Sequence, residues 1–361
     1  MGILIAAAAL FFGFGTAWLA SHDVRYLTRA GLEEVAILQK ARSLDDILAD
    51  ADTPPDTRAW IGLVKAARDF AASIGYEAGK TYTTYTDIGR DTLLLVVSAS
   101  ARECICPHIW KYPIVGRIPY KGFFDPAMAE REARQFRERG LDVYLRPASA
   151  FSTLGWFNDP LLSTAMVRDS VELAALVFHE IAHNTLYVKS ATPFNESFAQ
   201  MAGYRGAEAF FRSRGDTVLA RRAADRWADE IVLAEYYSAF VERLEAFYAT
   251  QPEPAALDSG RNAMAQWSRE QLQGPYGARL KTYRVGTLAE RPLNNAQLVG
   301  VRIYRTHLDW FEQWYHAQGA DVTRAVAELR RLMEGAEGDE AFKRLAQATP
   351  VIVPKAPSPG R

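Results

Sequence analysis

His179-Glu180-Ile181-Ala182-His183 gathers two imidazoles and a carboxylate into five residues of a chain that has only 6 His. On a helix, positions i and i+4 share a face, so both rings can reach one ion. Glu180 stands beside them, where it can take a proton from a water that such an ion polarises. Zinc suits this donor set and lowers the pKa of its water towards about 7. The flanks are apolar: Leu173, Ala174, Leu176, Val177 and Phe178 precede the motif, and Ile181 and Ala182 lie within it. Polar groups buried in so apolar a stretch are costly without a partner, and a metal offsets that cost. The plain competitor is a buried His/Glu hydrogen-bond cluster.

A catalytic zinc site takes a third protein ligand and keeps one position open. Glu196 fits the third place. Twelve residues separate it from His183, which lies about one turn before the expected end of its helix. Glu196 lies about one turn into the next helix, so a helical hairpin brings it back level with the histidines. Its competing role is to interact with its own helix N-terminus. Peptide hydrolysis passes through an oxyanion, which a nearby Tyr or His stabilises. Tyr187, one turn after His183, and Tyr304 are the leading donors, with Tyr204 and His307 behind them. Gln200 is placed to orient a ligand histidine. Residues 152–157 form a candidate edge strand for substrate backbone. Asp159 is read first as a turn residue before Pro160, and only secondarily as a partner for a substrate amine.

The elements that must carry these residues follow from patterning. Residues 24–74 read as two helices broken at Pro54-Pro55. Residues 82–157 are rich in strand formers, with strands at 92–98, 114–120 and 141–146, and possess one helix between Asp125-Pro126 and Gly140. From Asp169 the chain is helical. Asp169 and Glu172 resemble a capping box for the motif helix, and Thr192-Pro193 a cap and first turn for the next. Further helices are expected at 216–250, 294–316 and 321–334. The expected fold is α+β: N-terminal helices over 24–80, then a single region over 82–350. That region comprises a small mixed sheet at 82–157, active-site helices at 169–212 and a helical lobe at 216–350.

Lys+Arg 42 against Asp+Glu 43 leaves a formal net charge of -1, which gives no footprint for nucleic acid. The charge-free stretch 2–20 reads as a signal peptide or a membrane anchor. It implies a cell-envelope location, periplasmic or anchored facing the periplasm, and an N-terminal hydrophobic helix. Residues 351–361 read as a frayed tail. Cys104 and Cys106 read as two ordinary thiols, because so close a pair seldom reaches good disulfide geometry.

Several segments together resemble a bacterial family labelled putative aminopeptidase. They are Ser152-Thr-Leu-Gly-Trp-Phe-Asn-Asp-Pro-Leu-Leu-Ser-Thr164, Phe178-His-Glu-Ile-Ala-His183, Leu186-Tyr-Val-Lys189 and Phe194-Asn-Glu-Ser-Phe-Ala199. Tyr120-Lys-Gly-Phe-Phe-Asp125 and Asn294-Asn-Ala296 belong to the same pattern, collinear over about 44–316. Asn195-Glu196 resembles the Asn-Glu step that supplies the third ligand in thermolysin-like enzymes, although the gap here is shorter. Members with a Cys pair carry it where this chain has Lys111 and Arg117. The resemblance implies a zincin-like fold and a zinc-dependent peptidase, with one zinc per chain on His179, His183 and Glu196, Glu180 as base, and a peptide or protein as substrate. The alternative is an envelope-associated interaction protein with little or no catalytic activity.

Overall fold

The computed structural model describes residues 16, 18–19, 21–112, 116–148, 160–166 and 168–349. Most of residues 2–20, the stretch 152–157, Asp159 and the tail 351–361 lie outside the described residues. The expected signal or anchor, the candidate edge strand, the candidate amine partner and the frayed tail all fall on those residues. Among the described residues no helix is long and apolar enough to cross a membrane.

The chain is a mixed α+β molecule, mostly helical, with small sheets. Helix α1 (His22–Gln39) starts at Ser21, whose hydroxyl accepts from the Val24 N–H. A two-residue strand β1 (Arg42–Ser43) and a short helix α2 (Leu44–Ala49) follow. Helix α3 (Pro55–Ser73) begins at the Pro54-Pro55 break, as proline at a first turn allows. It buries Ile61, Val64, Ala67 and Ala71.

Among the described residues the strands form three small sheets rather than one. β2 (Thr84–Thr86) lies between β1, antiparallel, and β8 (Leu161–Leu162), parallel. β3 (Leu94–Ser100) is the centre of an antiparallel sheet, flanked by β6 (Lys121–Phe123) and β7 (Asp142–Ala148). β4 (Trp110–Tyr112) and β5 (Gly116–Ile118) pair with each other. The strand expected over 114–120 therefore ends at Ile118, and the chain turns through Pro119-Tyr120 before β6. A proline lacks the N–H that a ladder needs, which accounts for the break.

Helix α4 (Pro126–Glu138) covers one face of the central sheet. Asp125 caps it through the N–H groups of Ala127 and Met128, and Gly140, at φ +78, ends it. Val97, Ala99, Phe123, Ala129, Ala133 and Phe136 close this layer into a buried cluster. Gly122 faces the other way: a Cβ there would stand 3.1 Å from Leu94 Cδ1.

The second half is a helical lobe: α5 (Ser170–Thr185), α6 (Thr192–Ser213), α7 (Thr217–Tyr248), α8 (Pro254–Gln273), α9 (Val285–Ala289), α10 (Asn295–Tyr304), α11 (Leu308–Ala317), α12 (Val322–Leu332) and α13 (Glu340–Ala348). The span 294–316 holds two helices, parted at His307, whose φ is +54. α8, α9 and α13 fall outside the individual helices expected. Thr192 is not a side-chain cap, since the cap position is Ala191 without a side-chain bond. Glu172 does not complete a capping box: it meets Arg226 and the Tyr204 hydroxyl instead. Cys104 and Cys106 are a disulfide, their Cα atoms 5.2 Å apart, and not free thiols. The loop folds back there, because the Asn295 amide gathers the carbonyls of Ala101, Arg102 and Cys104.

Candidate metal centre

α5 supplies the two imidazoles. Its start is fixed by Asp169, which accepts from the Val171 N–H at 3.0 Å and the Glu172 N–H at 3.2 Å. Its end is fixed by Thr185, whose hydroxyl bonds back to the Ile181 carbonyl at 2.9 Å and accepts from the Glu77 N–H at 2.9 Å. Apolar residues wrap the helix: Val171, Leu173, Ala174, Val177, Phe178, Ile181 and Ala182 are buried. His179 and His183 are therefore held on a rigid, well-packed element.

α6 supplies the carboxylate, and its phase is set by the residue before it. Asn195, 2% exposed, accepts from the Val188 N–H and donates to the Val188 carbonyl, both at 2.8 Å. This clasp closes the loop between the helices. With Asn195 facing the loop, Glu196 one step later faces α5.

Two glycines let the helices approach. A Cβ on Gly203 would stand 2.8 Å from the Ala175 carbonyl oxygen and 3.3 Å from His179 Cβ. One on Gly206 would stand 2.5 Å from the Phe178 ring. Both distances are closer than real Cβ contacts, so only glycine permits this separation.

The three donors converge. His179 Nε2 and His183 Nε2 are 3.2 Å apart. Glu196 Oε2 is 3.4 Å from the first and 3.8 Å from the second. Among the described residues this trio is the only group of three His, Cys, Asp or Glu side chains spaced to hold a metal ion. Donors about 2.0–2.1 Å from a tetrahedral ion are about 3.3–3.4 Å from one another. The observed spacings surround that value, and the donor chemistry, two imidazoles and one carboxylate, suits a catalytic zinc. The residues fit the ion.

Electrostatics couple the three groups to one another. Burial works against a charge on His183, and the neighbouring His179 adds to it, lowering its pKa to about 4 and leaving the ring neutral as a ligand must be. Burial also opposes a charge on His179. A hydrogen bond to Glu196, the Glu180 and Glu196 charges and a bond to the Ala199 backbone outweigh it, so its pKa lies above the ordinary value. Burial acts to raise Glu196, but the hydrogen bond with His179 and both imidazoles hold it below the usual carboxylate range.

Glu180, half-buried beside the rings, is felt by both His179 and Tyr304. Tyr304 ends α10. Its hydroxyl is pushed up by burial, then by the charge of Glu196, the neighbouring Tyr120 and Glu180, with Arg146 opposing. Tyr120 is raised by burial and by Glu196, again with Arg146 opposing. Tyr120, 46% exposed, and Tyr304, 38% exposed, therefore lie within electrostatic reach of Glu196, and Arg146 lies within reach of both tyrosines. Tyr120 and Arg146 were not among the expected site residues. Tyr120 heads one of the family-like segments, and strand alternation in 141–146 puts Arg146 opposite Val143 and Leu145, so both carried a readable signal.

The other candidates sit elsewhere. Tyr187 follows the last residue of α5, where Leu186 is extended at φ -145, so it has left the helix face; it is 68% exposed. Tyr204 donates to Glu172 at 3.1 Å and lies against Trp227. His307 stacks on Trp310 at 3.8 Å between ring centroids.

Two imidazoles and a carboxylate at ion-ligand spacing, on a helix pair with a second carboxylate alongside, define a candidate metal centre of the hydrolytic type. Residues 25–344 match the family model described as "Putative aminopeptidase", and the chain belongs to that family. The family name points, at the level of class, to a peptidase acting on peptides. No curated protein and no solved structure matches the chain.

Proposed function

We propose that this protein is a zinc-dependent peptidase with a zincin-like catalytic region, an aminopeptidase as its family name says. The observation that carries the reading is the convergence of His179, His183 and Glu196 with Glu180 beside them. His179, His183 and Glu196 would hold one zinc per chain, which when bound polarises a water and the scissile carbonyl. Glu180 takes the proton of the attacking water as its oxygen bonds to the carbonyl carbon. It then delivers that proton to the nitrogen of the departing amine as the C–N bond breaks. Tyr304 and Tyr120 donate hydrogen bonds to the carbonyl oxygen as it gains charge. Their raised pKa values keep both hydroxyls protonated for that role. Tyr187 retains no argument of this kind.

The charge-free stretch 2–20 supports a place in the cell envelope, with the catalytic region on the outer side. The paired Cys104 and Cys106 are compatible with an oxidising compartment.

The test is Glu180→Gln. It keeps the metal and loses hydrolysis of a mixed peptide pool by about 100-fold or more. Full activity in that variant would refute the mechanism.

A further inference from the structure

Arg146 lies on β7 with no ion-pair partner among the described residues. Other arginines of this region are paired: Arg261 with Asp142 and Arg305 with Glu230. Val143 and Leu145 pack towards α4, so alternation puts Asp142, Tyr144 and Arg146 on the opposite face. α10 covers that face. The Asn295 N–H donates to the Asp142 carboxylate at 2.8 Å, and the Asn294 amide donates to the Val143 carbonyl at 2.9 Å. From this anchor, the nine steps from Asn295 to Tyr304 advance about 13.5 Å along a helix. The four steps from Asp142 to Arg146 advance about 13.6 Å along a strand. The two advances match, and the Tyr304 hydroxyl feels the Arg146 charge, so the far ends of the two elements lie near each other. Thr306, two residues past Tyr304, donates its N–H to Ser197 Oγ at 3.2 Å, beside Glu196. Arg146 thus borders the metal centre on the side of Tyr304 and Tyr120.

A half-buried cation without a counter-charge among the described residues is favoured by a bound group that supplies one. The planar guanidinium fork matches a carboxylate in two parallel hydrogen bonds. We propose that Arg146 anchors a carboxylate of the substrate, which makes the preferred substrates short peptides held by their free C-terminus or peptides with an acidic side chain just past the cut. The proposal rests on the peptidase reading and names its substrate class.

The test uses the full-length chain carrying Glu180→Gln, loaded with zinc, so that peptides bind without being cut. Leucyl-glycine, leucyl-glycyl-glycine and leucyl-triglycine are titrated calorimetrically, each as free acid and as C-terminal amide, together with leucyl-glutamyl-glycinamide. At least one free acid is expected to bind about tenfold or more tightly than its amide. Arg146→Met removes that difference, and Arg146→Lys keeps part of it. The same dependence seen with the glutamyl amide in place of the free acids supports the anchor and assigns the carboxylate to a side chain. Equal binding of acids and amides together with no Arg146-dependent gain for the glutamyl peptide, a preference that survives Arg146→Met, or no binding of any peptide overturns the proposal. Hydrolysis by the unmodified chain separates the two ideas. Arg146-dependent binding without any cleavage sinks the peptidase reading alone, whereas cleavage without carboxylate preference sinks the anchor alone.

Discussion

The Thr306 N–H donates to Ser197 Oγ at 3.2 Å, and this bond joins the end of α10 to the helix that carries Glu196. Ser197 is fully buried. Arg305, between Tyr304 and Thr306, is fastened to Glu230 at 2.8 Å. The far end of α10 is held by Asn295, also fully buried, which binds the Asp142 carboxylate, the Tyr248 hydroxyl and three carbonyls of the loop 101–104. The role proposed for Tyr304 would need such fixed support, because a donor displaced by one ångström loses most of its effect.

The tyrosines are separable by mutation. Tyr304→Phe removes the hydroxyl and keeps the ring. If it donates to the developing oxyanion, kcat falls about 10–100-fold with little change in KM. Tyr120→Phe is expected to show a smaller fall, and Tyr187→Phe none. Steady-state kinetics on one peptide decides the order, and a kcat unchanged in Tyr304→Phe removes that residue from the chemistry.

Helix separation sets the donor spacing. Gly203→Ala puts a methyl 2.8 Å from the Ala175 carbonyl oxygen and 3.3 Å from His179 Cβ, and backbone cannot yield cheaply. The expected cost is about 1–3 kcal/mol of stability, with weaker zinc binding. Gly300→Ala, on α10, meets nothing within 4 Å and is expected to gain about 0.5–1 kcal/mol. Urea melts and a zinc titration of both variants check the contrast.

Acid sensitivity is expected at a buried ion pair away from the centre. Burial acts to raise Glu312, but Arg205 and the Trp227 indole N–H, 2.7 Å away, hold its carboxyl below the ordinary 4.5. A carboxylate depressed in the folded state stabilises above its unfolded pKa, and that contribution disappears as pH falls through the folded value. Glu312→Gln should therefore lose about 1–3 kcal/mol at pH 7 and show a flatter loss of stability below about pH 4.5. Urea midpoints taken across pH 3–7 measure both.

The sequence showed the donors more clearly than their surroundings. The i, i+4 spacing of His179 and His183 and the caps Asp125 and Asp169 are local signals, and each of these two caps appears where its residue type places it. Glu196 was readable because a short loop between helices leaves few arrangements. Tyr187 failed as a helix-face neighbour because α5 stops two residues earlier, a boundary set by the Glu77 contact to Thr185. Glu172 had the spacing of a capping box but found a stronger partner in Arg226, 54 residues away. Such long-range pairings leave no local trace. Tyr120, just before β6, and Arg146, on β7, come within electrostatic reach of each other because β6 and β7 both pair with β3.

Metal content tests the central claim most directly. Purified full-length protein, dialysed against zinc-buffered solution and assayed by plasma mass spectrometry, is predicted to hold about one zinc per chain. His179→Ala and Glu196→Ala should hold far less under the same dialysis, while Glu180→Gln holds as much as the unmodified chain. Absence of bound metal from the unmodified protein, or full occupancy in His179→Ala, would contradict the account.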